Sequence, residues 1–259
     1  MIRAFLSIKN QCIKSEMAYK ANFYLLVFAG VVTKFVGLGV PFILFEKTKD
    51  IAGWGRNEIY LVMVYIIIAE GVNSLFFEGV WNIPEMVFSG KLDVLLIRPM
   101  NPLLQVLSYG VGIHGLGDLL FGIPTLIYLH INLGLVNAKA IMLSFIYIVT
   151  GTVLCLAVYI ISNSIVFWFD SGGKTSIPYM IANVGQYAKY PLRIYPVVIQ
   201  VLLCFVIPYA FMGIVPAMIM TNRISDLYFI VVLGVVGLFF LMAIYIFNKG
   251  ITKYESAGM

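Results

Sequence analysis

Charged residues are scarce in this chain. Asp, Glu, Lys and Arg make up 11% of its 259 residues, against about 25% in soluble domains. No polar stretch is long enough to build a soluble core, which excludes a separate water-soluble domain. Histidine occurs only at His114 and His130, and cysteine only at Cys12, Cys155 and Cys204. No cluster of carboxylates or cysteines stands beside the histidines at metal-ligand spacing, so neither a metal centre nor a disulfide framework is indicated. The cysteines read as packing residues, two of them within apolar runs. A phosphate-binding loop is missing as well. Gly173-Lys174-Thr175 has the ending of one, but Trp168 stands where its first glycine is required, and an apolar helix rather than a strand precedes it. Lys174 is better read as a positively charged membrane anchor, and the chain is expected to hydrolyse no nucleotide by itself. No serine-nucleophile motif is found, and no residue is nominated as catalytic. Residues 1–20 lack an apolar core followed by a small-residue cleavage site, so no cleavable signal is expected there.

What the chain does have is apolar length. Hydrophobic residues make up 61% of it, mean hydropathy is +0.98, and apolar runs near 20 residues recur. This pattern predicts one all-α integral membrane domain over residues 1–259. Residues 1–20 predict an amphipathic helix lying on the membrane, with Ile2, Phe5, Leu6, Cys12, Ile13 and Met17 on one side. Lys9 and Glu16 intrude on that side. Six transmembrane helices are expected, at about 21–45, 58–80, 113–133, 140–169, 196–220 and 227–247. The apolar region 103–135 is too long for one upright span, since 20 helical residues already cover roughly 30 Å. Residues 103–112, at the start of a glycine-crowded half, are therefore read as a surface approach to the third span. Residues 170–195 read as a mixed polar loop. Pro208 and Pro216 predict a fifth span that kinks or breaks near its far end.

Six spans put both termini on one side. With that side cytoplasmic, Arg3, Lys9, Lys14, Lys20, Lys91, Arg98, Lys174, Lys189, Arg193, Lys249 and Lys253 lie inside. Lys47, Lys49, Arg56, Lys139 and Arg223 lie outside. The positive-inside rule favours this orientation. The same rule accounts for the net charge of +5 without a nucleic-acid partner, and leaves membrane lipids as the expected surroundings.

Three charges fall within predicted spans. Lys34 is about midway along the first and Glu70 about midway along the second, where an unpaired charge costs about 2.5–3.5 kcal/mol. They are expected to face each other or a wet cavity, either as a structural ion pair or as part of a translocation pathway. Asp118, in the third span, either touches substrate or caps backbone loosened by Gly115 and Gly117, the local role being the preferred one.

The stretch 78–102 is different again. It carries three prolines, two glycines and five charges, Glu78, Glu85, Lys91, Asp93 and Arg98, more breaks and ions than a bilayer core accommodates. Pro84 suits a first helical turn, so a short helix is expected to start near residues 82–85. Ser89-Gly90 ends it, a second short helix follows from Lys91, and Pro99 biases Arg98 away from helical geometry. Leu92, Leu95 and Leu96 are expected to be exposed on this lever. Arg98 offers a planar donor fork to a partner, Lys91 and Arg98 otherwise serving as lipid-phosphate anchors, and Glu78 is expected to pair with a basic residue of the loop.

Several separated stretches resemble one family. Ser89-Gly90-Lys91-Leu92-Asp93-Val94-Leu95-Leu96-Ile97-Arg98-Pro99-Met100-Asn101-Pro102 resembles the G-x-L-D-x-x-L-x-R-P-x-N-P signature of ABC-2 family permeases, in their six-span branch. Phe167-Trp168 resembles the aromatic pair ending that branch's fourth span, and Tyr190-Pro191 and Tyr195-Pro196 its Tyr-Pro approach to the fifth. Ile207-Pro208-Tyr209-Ala210-Phe211 and Val215-Pro216-Ala217 resemble its proline-broken segment. The tail from Lys249 through Tyr254-Glu255-Ser256-Ala257-Gly258 resembles its G-L-x-x-Y-x-S-A-G ending, with Ile251 in place of leucine. The matches cover most of the chain, in the family's order.

The resemblance implies a type V exporter-like permease subunit of an ATP-binding cassette transporter in a bacterial plasma membrane. It would move an amphipathic or hydrophobic substrate. Its partners would be two copies of a separate ATPase, which supplies ATP and Mg, and a second permease or a second copy of this chain. The loop between spans two and three would be the coupling helix, with Glu78, Glu85, Gly90, Lys91, Asp93, Arg98, Pro99 and Asn101 as its working residues. Two other readings stay open: an ion-coupled secondary transporter using Lys34 and Glu70, and a membrane-embedded enzyme or structural subunit.

Overall fold

The computed structural model describes residues 2–169 and 176–255. Lys174, with its Gly-Lys-Thr context, and the Ser256-Ala257-Gly258 ending lie outside the described residues. Among those described there is no strand, only an isolated bridge between Ile51 and Trp54. The helices are α1 (Ile2–Ala18), α2 (Lys20–Lys47), α3 (Arg56–Phe77), α4 (Ile83–Phe88), α5 (Lys91–Leu96), α6 (Pro102–Ser108), α7 (His114–Asn132), α8 (Ala138–Ser164), α9 (Ile177–Gly185), α10 (Val197–Val201), α11 (Ile214–Met220) and α12 (Tyr228–Ile251).

Among the described residues, four helical stretches are long and apolar enough to cross a membrane: Lys20–Lys47, Arg56–Phe88, Ala138–Trp168 and Tyr228–Ile251. A fifth arises if Val197–Val206 and Tyr209–Met220, bent by 72°, count as one broken span. The break falls at Pro208, next to a π-helical turn at Leu202–Val206, as the missing proline N–H requires. Pro216 does not break α11, because it lies in that helix's first turn. Helix α7 coincides with the expected third span. It is only 19 residues long, about 28 Å at 1.5 Å per residue, and it carries His114, Asp118, Pro124 and His130 within that length.

Burial sorts the helices. From Leu61 to Gly71, α3 is buried at every position, so it is the centre of the bundle, with α7 and α8 packed on it. Helix α2 packs on α7 and also touches α3, and α12 packs on α8. Both outer helices leave large apolar side chains uncovered, among them Phe28, Phe35 and Val36 on α2, and Leu238, Leu241 and Tyr245 on α12. An apolar surface of this extent belongs against lipid or another subunit.

The two ends of the bundle are built differently. At one end Arg223 clamps Glu58 with two nitrogens, donates to the Gly53 carbonyl, and lies 4.8 Å over the Trp54 ring. Lys139 bonds Asp226, three residues after Arg223, at 2.6 Å. The opposite end gathers α1, the α4–α5 segment and the chain after α12. There Lys9 donates to the Gly110 carbonyl at 2.6 Å, and Tyr254 packs edge-on against Phe167 and stands beside Asp93.

Candidate functional site

Helix α7 has almost no side chain where it crosses its neighbours. On the α2 side Gly30 faces Gly117: a Cβ on Gly30 would lie 2.5 Å from the His114 carbonyl oxygen. On the α3 side Gly71 faces Gly115: a Cβ on Gly115 would lie 2.6 Å from the Gly71 carbonyl oxygen. Small residues at such crossings let helix backbones approach closely in a membrane. Each glycine also stands within one helical turn of an ionisable residue, Gly30 four before Lys34, Gly71 one after Glu70, and Gly117 one before Asp118. The close crossings therefore bring these three side chains together.

They form one cluster. Lys34 Nζ is 3.5 Å from Glu70 Oε2 and 3.3 Å from Asp118 Oδ2, so the expected Lys34–Glu70 pairing is present and Asp118 completes a triad. Asp118 thus does not cap loosened backbone; the glycines beside it are packing surfaces, and its carboxylate serves Lys34. Gln186 donates to Glu70 Oε1 at 2.7 Å, and Lys189 is close enough to Glu70 for attraction. Part of the expected polar loop has therefore folded back onto α3. Such charges are tolerated at depth because they are paired and hydrogen-bonded.

Next to the triad is a cavity of about 320 Å³, lined by Lys34, Glu70 and Asp118, and also by Glu78, Trp81 and His114. Glu78 lies just past α3 and interacts with His114 and Lys9, not with a basic residue of its own loop as expected. Lys9, which intruded on the apolar side of α1, is the residue that docks that helix. It is 4% exposed, and burial pushes its ammonium down to about 8. His114 Nε2 is 3.0 Å from the Ser74 hydroxyl.

The α4–α5 segment takes the expected form. Pro84 sits in the first turn of α4, Gly90 adopts φ +68° between the helices, and α5 ends at Leu96, before Arg98-Pro99. Lys91 bonds Glu85 across the bend at 2.6 Å, both side chains exposed. Arg98 reaches the Tyr109 hydroxyl at 3.3 Å. Asn101 caps α6, its side-chain oxygen accepting from the Leu104 amide. One expectation fails. Leu92 and Leu95 are buried, at 1% and 3% exposure, and only Leu96 is exposed, with Val94 and Ile97 beside it. The lever is seated by its leucines on the rest of the bundle rather than presenting them outward. Gln105, unnoticed in the sequence, helps to hold it there by donating to the Leu95 and Met100 carbonyls.

A family model described as "ABC-2 family transporter protein" matches residues 28–258. This chain belongs to the ABC-2 transporter family. No curated protein and no solved structure matches it. The matched residues of this ABC-2 transporter include the triad, the cavity and the whole α4–α5 segment. Helix α1 and its Lys9 lie before them. The ABC-2 chain is thus a multi-pass membrane transport component, as its apolar helices and its family agree.

Proposed function

We propose that this chain is the permease subunit of an ATP-binding cassette exporter in a bacterial plasma membrane. It would cross six times, with α7 as the third crossing and the broken α10–α11 segment as the fifth, and with both termini in the cytoplasm. The observation that carries this reading is the α4–Gly90–α5 segment. It is a compact bent element, fixed to the bundle by Leu92, Leu95 and Gln105, at the end where α1 and the chain after α12 also lie. A partner pressing on it would act on rigidly attached structure, and α3 leads directly into it. ATP and Mg would be bound by two copies of a separate ATPase docked there, against Glu85, Lys91, Arg98 and the exposed Val94 and Ile97. A second permease, or a second copy of this chain, would cover part of the apolar surface of α2 or α12, and an amphipathic or hydrophobic substrate would pass between the two. Affinity purification in mild detergent tests this: a soluble P-loop ATPase should co-purify and be lost with Arg98→Glu. Consistent absence of an ATPase from the wild-type preparation would overturn the reading.

The Lys34–Glu70–Asp118 triad supports a second reading, an ion-coupled transporter. That reading expects transport driven by a proton or sodium gradient without ATP, which reconstituted vesicles distinguish.

A further inference from the structure

Two residues of the cavity wall carry carboxylate oxygens that, among the described residues, have nothing to accept from. Asp118 is 2% exposed, and among the described residues its Oδ1 finds no hydrogen-bond partner, although Oδ2 is held by Lys34. Glu78 Oε2 is likewise buried without a partner. Both residues line the cavity. A buried acceptor left unsatisfied costs about 1–3 kcal/mol, more when it is charged, and an ionised carboxylate offers no proton of its own. What completes such a wall is a donor. The aromatic side of the cavity makes a matching demand. Trp81 stacks on Tyr179 at 4.9 Å with 25° between the rings, and lies 4.8 Å from Tyr159. All three line the cavity, and the face of a tryptophan attracts cations and flat apolar groups.

An anion finds less here. Lys34, the one lysine among the described residues of the lining, already has a carboxylate on either side. Lys9 and Lys189 attract Glu78 and Glu70 without lining the cavity themselves, and Lys9 is engaged by the Gly110 carbonyl. The volume is at the small end of the range of ligand sites, enough for the head of a cargo molecule. We propose that this cavity binds the head group of an organic cation, a protonated amine, amidine or guanidine carried on a flat or apolar body. Its N–H groups bond Asp118 Oδ1 and Glu78 Oε2, and its body lies against Trp81. This rests on the permease reading, for which it names the class of cargo.

The test uses three flat molecules of one shape: cationic benzamidine, neutral benzamide and anionic benzoate. Each is titrated calorimetrically against the full chain in lipid nanodiscs at neutral pH. Benzamidine should bind about tenfold tighter than either analogue. Glu78→Gln should weaken benzamidine about fivefold or more and leave benzamide unchanged. Asp118→Asn should do the same; because it also disturbs Lys34, its thermal unfolding is checked first, and Glu78→Gln, which leaves the Lys34 triad intact, decides if it unfolds. Benzamide or benzoate binding as tightly as benzamidine, no detectable benzamidine binding in the millimolar range, or unchanged benzamidine affinity in a folded Glu78→Gln chain would overturn the proposal. Binding is read without ATP or ATPase. A failure here leaves ATPase co-purification standing, and a missing ATPase leaves the binding result standing.

Discussion

Lys34 holds two buried carboxylates, those of Glu70 and Asp118. Removing one partner of a buried ion pair costs about 3–5 kcal/mol, because the remaining charge stays uncompensated, whereas replacing every member by neutral groups is often nearly free. Lys34→Met should therefore lower the thermal unfolding midpoint in detergent sharply. The triple change Lys34→Met, Glu70→Gln and Asp118→Asn should recover most of the loss; a triple variant no more stable than Lys34→Met would show that the triad is not acting as a unit. Lys9 gives a pH-dependent counterpart. Its ammonium is depressed from 10.5 to about 8, so below pH 8 folded and unfolded chains both hold the proton and the burial penalty is fully present. Between about 8 and 10.5 the folded chain releases it first, the unfolded chain binds more protons, and stability rises with pH. Unfolding midpoints measured from pH 7 to 9.5 should climb more in the wild type than in Lys9→Met, and parallel curves would refute this. The pairing of Lys34 with Glu70 was legible in the sequence because both fall at similar depth on adjacent helices. The part played by Asp118 was not, since it depends on which face of α7 meets α2 and α3.

At the scale of the element, the bend at Gly90 is the clearest case of sequence dictating form. Its φ of +68° lies in the left-handed region, and a Cβ there would meet nothing closer than Asp93 Oδ2 at 3.8 Å. The requirement for glycine is therefore conformational and not one of space. A β-branched residue pays about 1–2 kcal/mol in that region, while asparagine visits it readily. In the assembled transporter, Gly90→Val should reduce transport-linked ATPase activity several-fold, and Gly90→Asn should stay near wild type. Equal behaviour of the two variants would mean that the bend does not transmit force. The ends of α4 and α5 could be read from Pro84, Gly90 and Pro99, because proline and glycine act on the backbone locally. The seating of Leu92 and Leu95 could not, because a six-residue helix gives too short a period to say which face is covered. The glycines before Asp118 were visible as a cluster, but close helix crossing and local loosening leave the same trace in one dimension.

At the scale of the whole molecule, the apolar runs near 20 residues were enough to find the long helices, because the bilayer imposes that length on any helix that crosses it. The fold-back that brings Gln186 to Glu70 left no such trace, since its polar sequence looks like any surface loop and its destination is set by a contact 116 positions away. Orientation is the property for which sequence and fold make independent demands. The proposed orientation puts α1, the α4–α5 segment and the chain after α12 in the cytoplasm on the excess of lysine and arginine, and the structure gathers these three at one end, with the Arg223–Glu58 clamp at the other. A chain inserted the opposite way would carry the α4–α5 segment, the proposed docking element, out of reach of a cytoplasmic ATPase. In a background with Cys12, Cys155 and Cys204 replaced by serine or alanine, Ser225→Cys should react with a membrane-impermeant maleimide in intact cells. Ser89→Cys should react only after permeabilisation. The reverse pattern would invert the molecule and remove the ATPase-driven reading, whereas labelling of both sites in intact cells would mean that one of these loops is not where the charge distribution assigns it.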